Sequence, residues 1–236
     1  MTLPATDAVE RRSATASELL YLVGTDLVPV EQLPDGPARQ LATEYRSGRL
    51  RLAPHLAAVA LWSLQRQGVA SLELRRSKSL GFISRTELVV GLNQPGGTQP
   101  GIEGQLLSTL ARKQPRDVGG LVRDWFGRPS SDVDGVVIQR VLEGFAQTAL
   151  VSIVREDAGR GAVMGMLRGR EKTVVTADHA AISAAADEIG RLTADWMAFS
   201  QSQYELASEL TKRSQKALDS RKPVDSDGGD FGGDDD

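Results

Sequence analysis

Residues 54–74 read PHLAAVALWSLQRQGVASLEL, and this stretch decides the fold. Apolar residues occupy positions 56, 57, 59, 60, 61 and 64, which is more continuous than a surface helix needs and predicts a core helix packed on both sides. Gly68 suits the C-terminal end of such a helix. The apolar residues that follow, Val69, Leu72 and Leu74, change to strand-like spacing and predict that a strand leaves the helix.

A second apolar group follows that strand after a basic segment of small and charged residues. The segment Arg75–Ser79 reads RRSKS, and Phe82, Ile83 and then 88–90 are apolar. We interpret this pattern as two strands joined by a charged turn, that is, a helix followed by a wing. Its cations are Arg75, Arg76, Lys78 and Arg85.

Residues 132–176 repeat the same order. A helix is predicted from Asp132 to about Phe145. Asp132 and Asp134 fall in its first turn, where carboxylates are favourable because the N-terminal end of a helix carries a partial positive charge. Strand-like spacing over 149–154, a polar turn at 155–161 and returning strands at 162–167 and 173–175 predict a second hairpin. This hairpin carries Arg168, Arg170 and Lys172. The likeness to 54–91 is one of pattern and not of identity, so an internal duplication stays open.

The flanking segments complete the predicted organisation. NQPGGTQPG at 93–101 is a linker, because proline and glycine sustain neither a helix nor a ladder there, and helices are predicted at Ile102–Ala111 and Asp117–Phe126. Ser17 is predicted as an N-cap, and Pro37–Arg46 as a helix. The predicted units are a flexible arm (1–16), an N-terminal winged-helix-like unit (17–92), the linker (93–101), a second winged-helix-like unit (102–176), a C-terminal helical segment of one long helix or two (177–218) and a disordered acidic tail (219–236).

The predicted fold class is therefore mainly α with short β-hairpins. An apolar content of 40% can fill a core, and cysteine is absent, as is ordinary in a reducing compartment. We find no signal-peptide pattern and no apolar window of spanning length, and expect a cytoplasmic protein. The net charge is −3, but six of the 31 acidic residues lie in 225–236, so the remainder carries +3, too little to indicate nucleic-acid binding.

No catalytic or metal pattern is present in the sequence. The two histidines, His55 and His179, both fall at predicted helix starts, where capping or surface roles are usual, and they are too few for the common zinc sites. The string AGRGAVMGMLRG at 158–169 lacks the Lys-Ser/Thr ending of a phosphate loop, and no serine lies in a G-x-S-x-G elbow. We expect a protein that is not an enzyme and holds no cofactor or metal.

The basic hairpins are the candidate contact surface. Their seven cations would meet an anionic ligand such as a phosphate backbone or lipid headgroups, although charged hairpin tips also serve only to keep edge strands soluble. Trp125, in the WFG ending of its helix, is the tryptophan expected to be partly exposed and to stack on a ligand or partner. The alanine-rich segment 177–218 would pair with a second copy of the chain or pack on its own domain.

Two stretches carry a resemblance to a known family. LAPHLAAVALWSLQRQGVASLEL (52–74) and TELVVGLNQPGGTQPGIEGQLLSTLARKQPRDVGGLVRDWF (86–126) resemble the Golgi-phosphoprotein-like family, over about residues 50–176. The resemblance implies a mostly helical adaptor that binds anionic phospholipid headgroups. The same span is also similar to the paired winged-helix cytoplasmic part of some bacterial membrane proteins.

The sequence thus leads to a ranked expectation of function. First is a non-enzymatic adaptor whose basic hairpins contact an anionic partner, with peripheral membrane association if that partner is phosphoinositide or another anionic phospholipid. The alternative is a winged-helix regulator that binds DNA or a protein partner. An enzyme with an unrecognised site is third.

Overall fold

A computed structural model describes residues 12–79, 83–93, 99–112, 116–145, 147–156 and 172–222. The fold is mainly helical with small antiparallel sheets, which confirms the predicted class. The helices are α1 (Ala16–Gly24), α2 (Pro37–Arg46), α3 (Leu52–Arg66), α4 (Gly101–Ala111), α5 (Val118–Phe126), α6 (Val133–Phe145), α7 (His179–Ala184), α8 (Ala186–Ser202) and α9 (Tyr204–Asp219). The strands are β1 (Ala70–Ser79), β2 (Ile83–Leu92), β3 (Arg116–Asp117), β4 (Val151–Glu156) and β5 (Lys172–Ala177).

Helix α3 lies at the centre of the core, as its continuous apolar sequence predicts. It packs against α1, α4, α9 and β1, and the side chains from Leu56 to Leu64 are buried. Its alanines have no bulk beyond Cβ, so neighbouring helices can approach closely. The helix begins two residues before Pro54, whose missing N–H falls in the first turn where no intrahelical partner exists. Gly68, at φ 72°, takes the left-handed conformation that ends it.

Residues 12–15, the described end of the predicted flexible arm, are bound to the rest of the fold. Residues 1–11 lie outside the described part of the chain, but 12–15 run onto α1, and Thr15 caps this helix. Thr15 and Glu18 form a reciprocal capping box, so the prediction of Ser17 as N-cap is wrong by two residues. Ser17 is buried instead and donates hydrogen bonds to Glu103 on α4.

The first hairpin is longer than predicted. Strands β1 and β2 pair antiparallel from Ala70 opposite Leu92 to Ser79 opposite Ile83, and the two-residue β3 adds to β2. The segment Arg75–Ser79 is therefore strand and not turn. Arg75 and Arg76 point to opposite faces of the ribbon and are both exposed, so polar side chains are tolerated on either face at these positions. The connection at 80–82 lies outside the described residues.

The second hairpin pairs β4 with β5, from Val151 opposite Ala177 to Glu156 opposite Lys172. The first two residues of the predicted turn, Arg155 and Glu156, belong instead to β4, which was predicted to end at 154. The rest of the predicted turn and the predicted strand at 162–167 fall within 157–171, outside the described part.

The C-terminal segment forms three helices instead of the predicted one or two. Breaks at Ala185 and Gln203 separate α7, α8 and α9. The apolar stripe of α8 packs on α1 and α2, and that of α9 packs on α3 and α5. Trp196 and Phe199 of α8 meet Trp62 of α3 in an aromatic cluster, with ring centroids 5.4–5.9 Å apart. The stripe is thus buried within the chain, which is the second of the two arrangements expected for this segment, while the alanines at 180, 181 and 184–186 stay exposed or half-buried.

Tyr45 carries one of the four buried side-chain polar atoms that find no hydrogen-bond partner among the described residues. The Tyr45 hydroxyl is buried and makes no hydrogen bond to any described residue. Its pKa is raised, mainly by burial and further by Glu44. We expect Tyr45→Phe to leave the free energy of unfolding unchanged or to raise it by about 1 kcal/mol, because the variant removes an unsatisfied group and keeps the ring against His55. Urea unfolding measures this; a loss above about 1 kcal/mol would reveal a hydrogen bond to the hydroxyl.

Candidate functional site

The β1–β2 hairpin presents two of the predicted cations to solvent. The Arg75 side chain is 54% exposed and its guanidinium lies 3.0 Å from Glu73, two residues earlier on the same strand. The Arg76 side chain is 73% exposed and lies 3.2 Å from Glu205 at the start of α9. Exposed ion pairs of this kind contribute little to stability, so both guanidinium groups can exchange a carboxylate for another anion at low cost.

The other predicted cations are fixed only in part. Lys78 and Arg85 belong to the same ladder, opposite Ser84 and Ser77, and only their backbone is described. Lys172 opens β5 opposite Glu156, again without a described side chain. Arg168 and Arg170 lie outside the described residues. The structure therefore brings Arg75, Arg76, Lys78 and Arg85 together on one ribbon, and Lys172 stands in a separate sheet.

The helix break at Gln203 adds an aromatic residue next to this ribbon. Tyr204, the first residue of α9, is 73% exposed, more than any other large apolar side chain in the described ranges. The residue after it, Glu205, holds Arg76. We name Arg76 and Tyr204 the corner surface; Arg75, the neighbouring residue on β1, lies on the opposite face of the strand, where it pairs with Glu73. Sequence reasoning missed Tyr204, because its exposure depends on a break inside a continuous helical pattern, at a point with neither glycine nor proline nearby.

Trp125 does not lie where it was expected. It is only 5% exposed, its indole N–H donates to Gln105 over 2.9 Å, and the Arg140 guanidinium covers its ring at 4.9 Å. Arg140 also donates to the carbonyls of Trp125 and Phe126, and so satisfies the open end of α5. The expectation of a partly exposed indole is wrong, because a cation from α6 occupies the face on which a ligand would stack.

A buried carboxyl pair lies under the N-terminal segment. Glu18 accepts two hydrogen bonds from the Arg12 guanidinium, and Glu103 accepts two from Ser17. Glu103 is 1% exposed; burial raises its pKa, the hydrogen bonds from Ser17 oppose this, and the charge of Glu18 adds to it. The sequence did contain one signal for this site, the Thr15-x-x-Glu18 capping box.

Glu103 should make stability depend on pH. The pKa of Glu103 in the folded protein lies above the ordinary 4.5. Its contribution to the free energy of unfolding is therefore full at pH values below 4.5 and is lost as the pH rises through the pKa of the folded protein. We expect Glu103→Gln, which cannot ionise, to gain free energy of unfolding relative to the wild type as pH is raised from about 4.5 to 7. Urea unfolding across that range tests this, with the exposed Glu188→Gln as control. Parallel curves for the wild type and Glu103→Gln would contradict it.

The two histidines have structural partners. His55 lies in the first turn of α3, its Nδ1 is 2.9 Å from the Arg51 carbonyl oxygen, and its ring meets Tyr45 edge-on. Burial lowers the pKa of His55, although that hydrogen bond and Glu44 oppose the shift. His179 is exposed and contacts the side chain of Gln32. Within the described ranges no three His, Asp or Glu side chains gather as a metal site.

Comparisons with known proteins add no relative. No family model matches the chain. No curated protein matches it either, and neither does any solved structure. Among the described helices, none is long and apolar enough to cross a bilayer.

Proposed function

We propose that this protein is a cytoplasmic adaptor that docks peripherally on anionic membrane surfaces through the corner surface. The observation that carries the proposal is the exposed Tyr204 beside the exposed, weakly held Arg76. An aromatic ring with a polar end suits the boundary between headgroups and acyl chains, and basic residues near an anionic leaflet gain about 1 kcal/mol each. The hairpin cations Lys78 and Arg85 extend this ribbon beyond Arg75 and Arg76.

DNA binding has less support from the same structure. A winged-helix protein recognises DNA with a helix that enters the major groove and precedes the wing in the sequence. Helix α3 precedes the first hairpin, but it is buried along most of its length and cannot enter a groove. Helix α6 precedes the second hairpin and exposes Asp134 and Glu143, which phosphates would repel. Both helices that could serve as readers are therefore unsuited to the task.

Vesicle sedimentation tests the proposal. The full chain should sediment with phosphatidylcholine vesicles that contain phosphatidylserine or a phosphoinositide, much less with phosphatidylcholine alone, and binding should weaken as salt is raised. Tyr204→Ala should reduce binding, and Arg128→Ala, which removes an exposed arginine elsewhere, should not. Equal sedimentation with both vesicle types would refute the proposal. A mobility shift with DNA at ~50 mM salt, without vesicle binding, would favour the alternative.

The acidic C-terminus is expected to weaken this binding. Residues 223–236 contain six aspartates and no lysine or arginine, and they follow a body that is net positive without them. An acidic segment tethered to the chain competes with the membrane for the same cations. Deleting 223–236 should therefore raise the affinity for anionic vesicles by about tenfold at low salt, and by less at high salt. Identical vesicle titrations with and without the segment would contradict this competition.

A further inference from the structure

A second site is formed where the α8–α9 corner meets the junction of α2 and α3. Here a cavity of about 680 Å³ lies between the 49–55 segment and one side of both C-terminal helices. Cavities of this volume are typical of small-molecule sites. All of its lining residues belong to the described part of the chain.

One wall of this cavity is apolar. Leu50, Trp196 and Met197 contribute to it, and Tyr204 stands at its rim. Trp196 is held in place by the aromatic cluster with Trp62 and Phe199, so this wall is rigid. A chain of carbon atoms lying on this wall would bury apolar surface against it.

The polar part of the lining has one sign of charge. Arg49, Arg51 and Lys212 line the cavity, and no aspartate or glutamate is among the lining residues. Two other large cavities of the described chain do include acids: Glu103 and Glu188 in one, Asp124 and Glu143 in the other. Arg51 is held by Asp134 and Asp219, but Arg49 is exposed and forms no ion pair with a described residue. Lys212 is 75% exposed and only 3.7 Å from Glu209.

His55 adds a neutral group to the same lining. Its Nδ1 lies 2.9 Å from the Arg51 carbonyl oxygen, and burial lowers its pKa, which favours the neutral ring in this lining. Charge in the site therefore comes from Arg49 and Lys212 at the solvent side. An apolar wall with two available cations and no acid selects a molecule that is apolar along its length and anionic at one end.

We infer that this cavity binds a free single-chain amphiphile with an anionic head, of the medium-chain carboxylate class. The chain lies on the Trp196–Met197 wall, and the carboxylate pairs with Lys212 and Arg49. The inference goes beyond membrane docking, since it needs no vesicle and does not use Arg75 or Arg76. Tyr204 is common to both sites, so ligand in the cavity lies beside the corner surface.

Dodecanoate below its micelle concentration is the probe, with dodecanol and acetate as controls that lack the charge or the chain. Isothermal titration and tryptophan fluorescence should show saturable binding of dodecanoate to the full chain, with dodecanol at least about fivefold weaker and acetate undetected. Lys212→Ala with Arg49→Ala should weaken dodecanoate by about tenfold. The matched control Lys216→Ala removes an exposed lysine from the same helix outside the cavity and should change nothing.

A second variant blocks the space instead of the charge. Ser208 is exposed on α9 and lines the cavity, so Ser208→Trp should abolish dodecanoate binding without unfolding the chain, as circular dichroism would verify. No saturable binding, or binding that is equal for dodecanol and insensitive to Lys212 and Arg49, would overturn the inference. Ser208→Trp should leave vesicle sedimentation unchanged, and Arg76→Ala should leave dodecanoate binding unchanged, so the failure of one proposal can be told from the failure of the other.

Discussion

Replacing Arg75, Arg76 and Lys78 together with alanine is expected to abolish binding to anionic vesicles while the protein stays folded. Three cations at about 1 kcal/mol each correspond to a loss of roughly a hundredfold in affinity. The described pairs of this patch, Arg75 with Glu73 and Arg76 with Glu205, are exposed and contribute little to the folded state. We therefore expect the melting temperature to fall by less than about 4 °C.

The measurement is vesicle sedimentation beside thermal unfolding, for the triple variant, the wild type and Arg128→Ala. Arg128 is exposed away from the hairpin, so its variant shows what the loss of one positive charge elsewhere on the surface does to binding. A large drop in melting temperature would show that the cations are structural. Unchanged vesicle binding with an unchanged melting temperature would show that the membrane contact does not lie on this hairpin.

The helices were predictable where burial and capping are local properties of the sequence. Helix α3 follows from its unbroken apolar run, and α5 from Asp117, which caps it through a hydrogen bond to the Gly120 N–H. The predicted boundaries of α2 at Pro37 and Arg46 are those of the structure, because proline starts a helix and Gly48, at φ 73°, follows its end. In each case the signal lies within one helical turn of the boundary.

The rest depends on contacts between residues far apart in the chain. The break at Gln203 has no glycine or proline to announce it, and the separate packing of α8 on α2 and of α9 on α5 accompanies it. Trp125 is covered by Arg140, fifteen residues later and on another helix. Several arginines that look free in the sequence bind carbonyls across the fold, as Arg46 does with Thr25 and Val28. Only coordinates could separate these arginines from the exposed ones.

Arg12→Ala is expected to cause the largest loss of stability among the variants considered. Its guanidinium lies 2.5 and 2.8 Å from the two carboxylate oxygens of Glu18, whose side chain is fully buried, and 2.6 Å from the Gly144 carbonyl. Removing the arginine leaves a buried carboxylate with the Thr15 N–H as its remaining donor among these residues. Breaking such a pair from one side costs about 3–5 kcal/mol.

Urea unfolding at neutral pH measures this loss, with Arg39→Ala as the matched control. Arg39 pairs with the exposed Asp35 and donates to the carbonyls of Leu33 and Glu31, but its removal leaves no buried charge behind, so it should cost about 1–2 kcal/mol. The double variant Arg12→Ala with Glu18→Gln should be more stable than Arg12→Ala alone, because the amide removes the uncompensated charge and its oxygen can still accept from Thr15. If Arg12→Ala costs no more than Arg39→Ala, Glu18 is satisfied by water in solution. If the double variant recovers nothing, the role of Arg12 is to hold the N-terminal segment on the Gly144 carbonyl rather than to neutralise Glu18.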